Sequence, residues 1–237
     1  MPDNRLLHWF EDGNKKYELG VEDVILFPYT DQGALGNGVA WDGVTAINDN
    51  KSGGEANKFH AEDSLYATVY GEETYGVTLE AYFHPEEFEE CLGDKEVAPG
   101  AYATMQKKRK FGLAYKTLVG NDIDGKDHAY EWHFVYKCEV QPVNKNHETI
   151  NDNVDIPTNS YTIDADKIDP AVTGLKKLAT FVVKSEKADP TKLAELETLL
   201  YGTAAVTADP SNNIEAADAI PSVLPLPARI VEILSQG

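Results

Sequence analysis

At 237 residues, 42% hydrophobic and 10% aromatic, the chain has the composition of a globular protein and the length of one β-rich domain with a sizeable core. Its 21 Lys and Arg against 40 Asp and Glu leave a formal charge of −19, the wrong sign for a surface that grips phosphates. No apolar run approaches the roughly 18 residues of a membrane span, and two cysteines, Cys91 and Cys138, are too few for a disulfide framework or a four-ligand zinc site.

Those cysteines are expected as buried free thiols, since free Cys packs as a small hydrophobe. Residues Met1 to Lys16 lack the apolar segment and small-residue cleavage site of a secretory signal, so synthesis in the cytoplasm is expected. The first predicted strand covers 23–29, around Val24, Ile25, Leu26 and Phe27. It closes at Pro28 and the turn formers Asp31, Gly33 and Gly36. Residues 31–63 read as a long Gly-rich loop with one strand-like piece near Trp41 to Ile47. Loops of this length are uncommon in compact domains and are usually functional or disordered.

Between 74 and 139 three runs alternate apolar and polar side chains with a period of two. Tyr75, Val77, Leu79, Ala81 and Phe83 share a face, as do Phe111, Leu113, Tyr115 and Val119. In the third run His128, Tyr130, Trp132, Phe134, Tyr136 and Cys138 fall on one side. Ala129, Glu131, His133, Val135, Lys137 and Glu139 fall on the other, which is the pattern of a half-buried strand. Pro85 opens a short acidic helix that reaches Cys91 and stops at Gly93. Further strands are predicted at 157–164 and 179–185. Asp189 and Pro190 then begin a helix with Leu193, Leu196 and Leu200 on one face, ended by Gly202. From Thr203 the composition shifts to Ala, Pro, Asn and Asp, with an apolar patch at 220–226 and a last short helix from Pro227 to Leu234. The layout is a β domain over 1–202, carrying the 31–63 loop, and a C-terminal arm over 203–237.

Several constellations imitate chemistry without completing it. Gly120, Gly125 and Lys126 have the spacing of a phosphate-binding loop. Asp127 stands where a hydroxyl should reach magnesium, and Asp122 and Asp124 would repel the phosphates. The same stretch fits part of an EF-hand, yet position one is Gly120 and both flanks alternate like strands. A hairpin turn between Val119 and His128 is the simpler reading. His60 and Glu62 match half of a zinc-deaminase motif whose cysteines are missing, and His60 with Asp63 reads as solvated loop. The run Glu86, Glu87, Glu89 and Glu90 reads as a solubilising helix face rather than a glycosidase pair. With no nucleophile elbow or dinucleotide turn, neither an enzyme nor a cofactor or metal is expected. The basic run Lys107, Lys108, Arg109 and Lys110 reads as a strand end or a contact with an acidic neighbour.

The segments YELGVEDVILFPYT at 17–30, SLYATVYGEETYGVTLEAYFHPEEFEECLG at 64–93 and KKRKFGLAYKTLVGND at 107–122 together resemble the major tail proteins, or tail tube proteins, of long-tailed bacteriophages and related prophages. EWHFVYKCEVQP at 131–142, LAELETLLYG at 193–202 and LPLPARIVEIL at 224–234 continue the resemblance. It implies a mainly β fold, an antiparallel β-sandwich or half-barrel with a flanking helix. It also implies rings of six subunits whose inner strands join into one barrel, and rings stacked into a tube in the virion tail. Double-stranded DNA would transit that lumen without specific binding, and a tape-measure protein and tail-end or terminator proteins would be further partners. On this reading Glu131 and Glu139 are expected on a sheet surface facing the lumen. Trp41, Phe59, Lys107, Lys108, Arg109, Lys110, Leu224, Leu226, Ile230 and Ile233 are expected at contacts between subunits. The 31–63 segment and the arm should be ordered mainly by neighbours, so deletion of 221–237 should leave a folded subunit. The alternative is a β-sandwich carbohydrate- or ligand-binding module using Trp41, Tyr66, Tyr70 and Tyr102.

Overall fold

The computed structural model describes residues 11–144, 156–205 and 218–235, so most of the first sixteen residues and the middle of the arm lie outside the described residues. The strands are β1 (Tyr17–Pro28), β2 (Val39–Ala40), β3 (Val44–Gly53), β4 (Ala56–Ala61), β5 (Ser64–Tyr70), β6 (Glu73–Ala81), β7 (Lys95–Ala98), β8 (Ala101–Ala103), β9 (Phe111–Asn121), β10 (Gly125–Val140), β11 (Asn159–Ala165) and β12 (Thr180–Lys184). The helices are α1 (Glu89–Leu92), entered through a 3₁₀ turn at Glu86–Phe88, α2 (Pro190–Tyr201) and α3 (Pro227–Ser235). The main sheet is antiparallel in the order β2-β1-β9-β10-β11-β6-β3, with β12 added to β10. The fold is mainly β and sandwich-like, and the sheet does not close into a barrel.

The course of β10 explains that shape. Its first half pairs β12 at Glu131–Val135 and its end pairs β11 at Cys138–Val140. Between them the register against β9 shifts, and Lys137 takes a left-handed φ of 51°. Such a bulge bends a strand and turns its later side chains to the other face. Trp132, Phe134 and Tyr136 therefore point to one side, whereas Cys138 and Val140 join Val135 on the other. The expectation that Cys138 shares a face with Trp132 fails for this reason. So does the half-buried reading, because Phe134, Val135 and Tyr136 are consecutive and all fully buried.

Two cores result. The first lies inside the curl of the sheet, where Leu79, Leu113, Val135, Tyr161 and Ile163 meet Trp41, Phe88 and the free thiols of Cys91 and Cys138. The second lies beneath the helices, where Phe27, Trp132, Phe134 and Tyr136 meet Leu193, Leu196, Leu200, Ile230 and Ile233. β1 serves both, sending Val24 and Leu26 into the first and Ile25 and Phe27 into the second. A continuous apolar run is what a strand covered on both faces requires.

The 31–63 segment is not a loop. It holds β2, β3 and β4, and its polar residues belong to β3, the outermost strand. There Asn50 Nδ2 donates to Thr78 Oγ1 at 2.6 Å, and the Ser52 and Thr74 hydroxyls lie 2.7 Å apart. Cross-strand polar pairs suit a solvent-facing edge, which is why period-two apolar patterning is weak there. Asp49 ties that edge inward, its Oδ1 accepting from Tyr75 at 2.8 Å and from Tyr115 at 3.1 Å. Phe83, assigned to the face of Val77, lies beyond the end of β6, 71% exposed and stacked on His84.

The helices begin and end as their caps dictate. The Asp189 carboxylate accepts from the backbone N–H groups of Thr191 at 2.8 Å and Lys192 at 3.3 Å, and Gly93 closes α1 with φ 91°.

His133 stacks on Tyr115 with ring centroids 4.7 Å apart, and its Nε2 lies 3.0 Å from Thr117 Oγ1. Burial lowers its pKa below the ordinary 6.5. A histidine with a depressed folded pKa supplies stability that is present above its unfolded value and lost as pH falls through the folded one. The urea midpoint should therefore drop as pH is lowered from about 7.5 to 5.5, and His133→Gln should flatten that profile. Parallel profiles for both proteins would remove His133 as the cause.

Candidate assembly surface

β4 and β5 form a hairpin that is a separate two-stranded sheet. Gly53 and Gly54, both left-handed at φ 83° and 72°, lead from β3 into β4. A Cβ on Gly53 would sit 2.2 Å from the Glu72 carbonyl oxygen, so the crossing is tight enough to demand glycine. The hairpin leaves the Gly53/Glu73 end of the β3–β6 ladder. The opposite end, at Val44 and Ala81, runs on into α1. At the hairpin tip Glu62 and Asp63 both have positive φ, 50° and 59°, the backbone of a two-residue primed turn.

Every residue of β4 and all but Ala67 of β5 are exposed. Phe59 is 53% exposed, Leu65 55%, Tyr66 79% and Tyr70 71%. Phe59 stands opposite Ala67 and Tyr70 opposite Ala56, so neither face of the ribbon rests on a core. An isolated hairpin is marginal in water, and clustered apolar exposure of this kind makes the ribbon a candidate contact surface. Sequence reading singled out Phe59, Tyr66 and Tyr70 but missed the hairpin that unites them. Its A-E-D-S tip lacks the Asn-Gly or Asp-Gly signal, and the apolar residues of β5 read equally well as core.

The basic run reaches a different place. Lys107 to Lys110 line an open groove of about 990 Å³ beside the end of α1, together with Lys95 and Lys137. Arg109 pairs with Asp31 at 2.9 Å and with Glu90. Lys110 pairs with Asp166 at 2.6 Å and Glu139 at 3.6 Å, and Lys108 Nζ donates to the Val140 carbonyl at 2.7 Å. Lys107 and Lys95 project as exposed side chains at the rim.

Other expected contact residues are placed inside the fold. Trp41 is 3% exposed, donates Nε1–H to the Phe83 carbonyl at 2.9 Å and packs on Phe88 at 4.5 Å. Leu224, Ile230 and Ile233 are buried in the second core, whereas Leu226 is half exposed. The bulge also separates the two acids expected on one lumen-facing surface. Glu131 lies on the face of Val135, paired with Lys184 at 2.6 Å, and Glu139 projects from the opposite face.

Among the described residues, no group of three or more His, Cys, Asp or Glu is placed to hold a metal ion. The 122–124 stretch is a hairpin turn, in which Asn121 Oδ1 accepts from the backbone N–H groups of Ile123 at 3.0 Å and Asp124 at 2.6 Å. His84 joins Glu89 at 2.9 Å and the Tyr161 hydroxyl at 2.8 Å. Tyr161 is fully buried against Trp41 and Phe88, so this chain of polar groups fastens α1 to β11.

Fold and surface together define a mainly antiparallel β fold with an exposed apolar hairpin and a separate groove lined by six basic side chains. No protein-family model matches the chain, and neither does any curated protein.

Proposed function

We propose that the chain is a structural subunit of a bacteriophage tail tube, polymerising as stacked rings, six-membered by the resemblance, around a lumen that passes double-stranded DNA. The observation that supports this most is the β4–β5 hairpin, whose apolar side chains stand exposed and join neither core among the described residues. Open sheet edges add to it. β2 covers only Ile25 and Leu26 of β1, and β3 and β12 end the sheet without a further strand among the described residues. Such edges are templates for another chain. A head-to-tail contact that closes by rotation gives a ring, and one that does not close gives a filament. The charge of −19 suits a conduit, because acidic walls repel phosphates over a Debye length of about 8 Å at physiological salt.

Replacing residues 56–70 with a short Gly/Ser linker is expected to leave the unfolding midpoint unchanged and to abolish tubes in negative-stain microscopy. Full-length protein that stays monomeric and binds glycans would instead favour the carbohydrate-binding reading. Of the aromatics assigned to that reading, Tyr66 and Tyr70 are exposed, Tyr102 is 37% exposed and bonded to Glu86, and Trp41 is in the core.

A further inference from the structure

We infer that the cationic groove beside α1 is the receptor for the β4–β5 hairpin tip of the next copy of this chain, with Glu62 and Asp63 of one subunit seated among Lys95, Lys107 and Lys108 of its neighbour. The inference rests on the polymer reading above and says which two surfaces meet.

Three observations carry it. The first is charge. In a chain of net charge −19, six of the 21 basic side chains line this one groove, against the four carboxylates of Asp31, Glu90, Asp94 and Glu139. Arg109, Lys110 and Lys137 are committed to carboxylates of their own subunit, while Lys108 contacts a neutral carbonyl and Lys95 and Lys107 stand exposed. Two copies with so many acids repel each other at most orientations, and opposing the cationic groove to two adjacent carboxylates is an orientation that attracts.

The second is asymmetry. The hairpin leaves the sheet at the Glu73 end of β6, whereas the groove is lined by the segment after α1, the run before β9 and the bulged stretch of β10, so the two surfaces share no residue. Different surfaces on donor and receptor make a heterologous contact, which closes as a ring or propagates as a filament.

The third is shape. The tip is a two-residue turn with both carboxylates exposed and a ribbon's width, and the groove is open and about 990 Å³ in volume. The apolar flanks of the hairpin, Phe59, Leu65 and Tyr66, then follow the tip toward the exposed Val97 and Met105 of the neighbouring β7–β8 region, which stands beside the groove at Lys95 and Gln106.

Charge reversal in the full-length protein tests this. Glu62→Lys with Asp63→Lys, and separately Lys95→Glu with Lys107→Glu, should each raise the concentration needed for stacking by about tenfold or more, since like charges set against each other cost several kcal/mol. The protein carrying all four changes should regain stacking, and Glu62→Cys with Lys107→Cys should give disulfide-linked ladders of subunits on oxidation. Stacking that responds to neither reversal, while deletion of the hairpin still abolishes it, would overturn the groove as receptor and leave the polymer reading standing. Wild-type protein that never associates in sedimentation velocity would overturn both.

Discussion

Phe134→Ala should lower stability by about 3–5 kcal/mol, the cost of emptying a fully enclosed aromatic site. Phe134 has no exposed surface and sits in the middle of β10, opposite Ala114 of β9 and Phe181 of β12, with the Trp132 ring 6.4 Å away. Strands on both sides and helices above hold the backbone in place, so the cavity cannot collapse. Against a total of about 5–15 kcal/mol for an ordinary domain, such a loss moves the urea midpoint a long way. Val182→Ala is the control, because Val182 is 40% exposed on the edge strand β12 and its truncation should cost well under that amount. Equal midpoints for Phe134→Ala and the wild-type protein would mean that Phe134 is not in the second core.

What the sequence announces and what it hides divide along physical lines. Helix boundaries are written in local chemistry: Asp189 with Pro190 starts α2, Gly93 ends α1, and the structure follows both. The alternation of β6 and of β10 up to Tyr136 is equally plain, because Tyr75, Val77, Leu79 and Ala81 face the first core and Trp132, Phe134 and Tyr136 the second. The bulge at Lys137 leaves no such mark. A lysine rather than a glycine holds the left-handed φ, and the alternation continues through it as if Cys138 still faced Trp132. That one residue decides which acids share a surface, so Glu131 and Glu139 could not be placed correctly from periodicity. β3 is obscured for a different reason: Val44 and Ile47 pack on the first core, but the rest of this edge strand, from Asn48 to Gly53, carries no apolar side chain to reveal it. The candidate site was half legible. The basic run and the exposed aromatics stood out, but the groove depends on Lys95 and Lys137, which are distant in sequence and are brought together by the end of α1 and the bulge.

Removing residues 221–237 should unfold the subunit rather than merely weaken its assembly, which reverses the expectation drawn from the Ala/Pro-rich composition of the arm. The arm is stitched to the domain before α3 begins. Thr203 and Ile220 exchange backbone hydrogen bonds at 2.8 and 2.9 Å, and the Val223 N–H donates to the Leu199 carbonyl at 2.8 Å. The Tyr136 hydroxyl then donates to the Pro225 carbonyl at 3.0 Å, a buried bond between the arm and the centre of β10. Leu224, Ile230 and Ile233 complete the second core over Phe27, Trp132 and Tyr136. Losing each of these side chains costs at least about 2 kcal/mol, and the truncation would also expose the aromatic face they cover. The total approaches the whole stability of an ordinary domain. Loss of the near-ultraviolet circular dichroism of Trp132 and rapid proteolysis between α2 and the new terminus are expected at 25 °C. Ile230→Ser, which keeps the arm but places a hydroxyl in the second core, should lower the urea midpoint without abolishing the cooperative transition. A truncated chain that unfolds cooperatively at the wild-type midpoint would return the arm to the surface and to contacts between subunits.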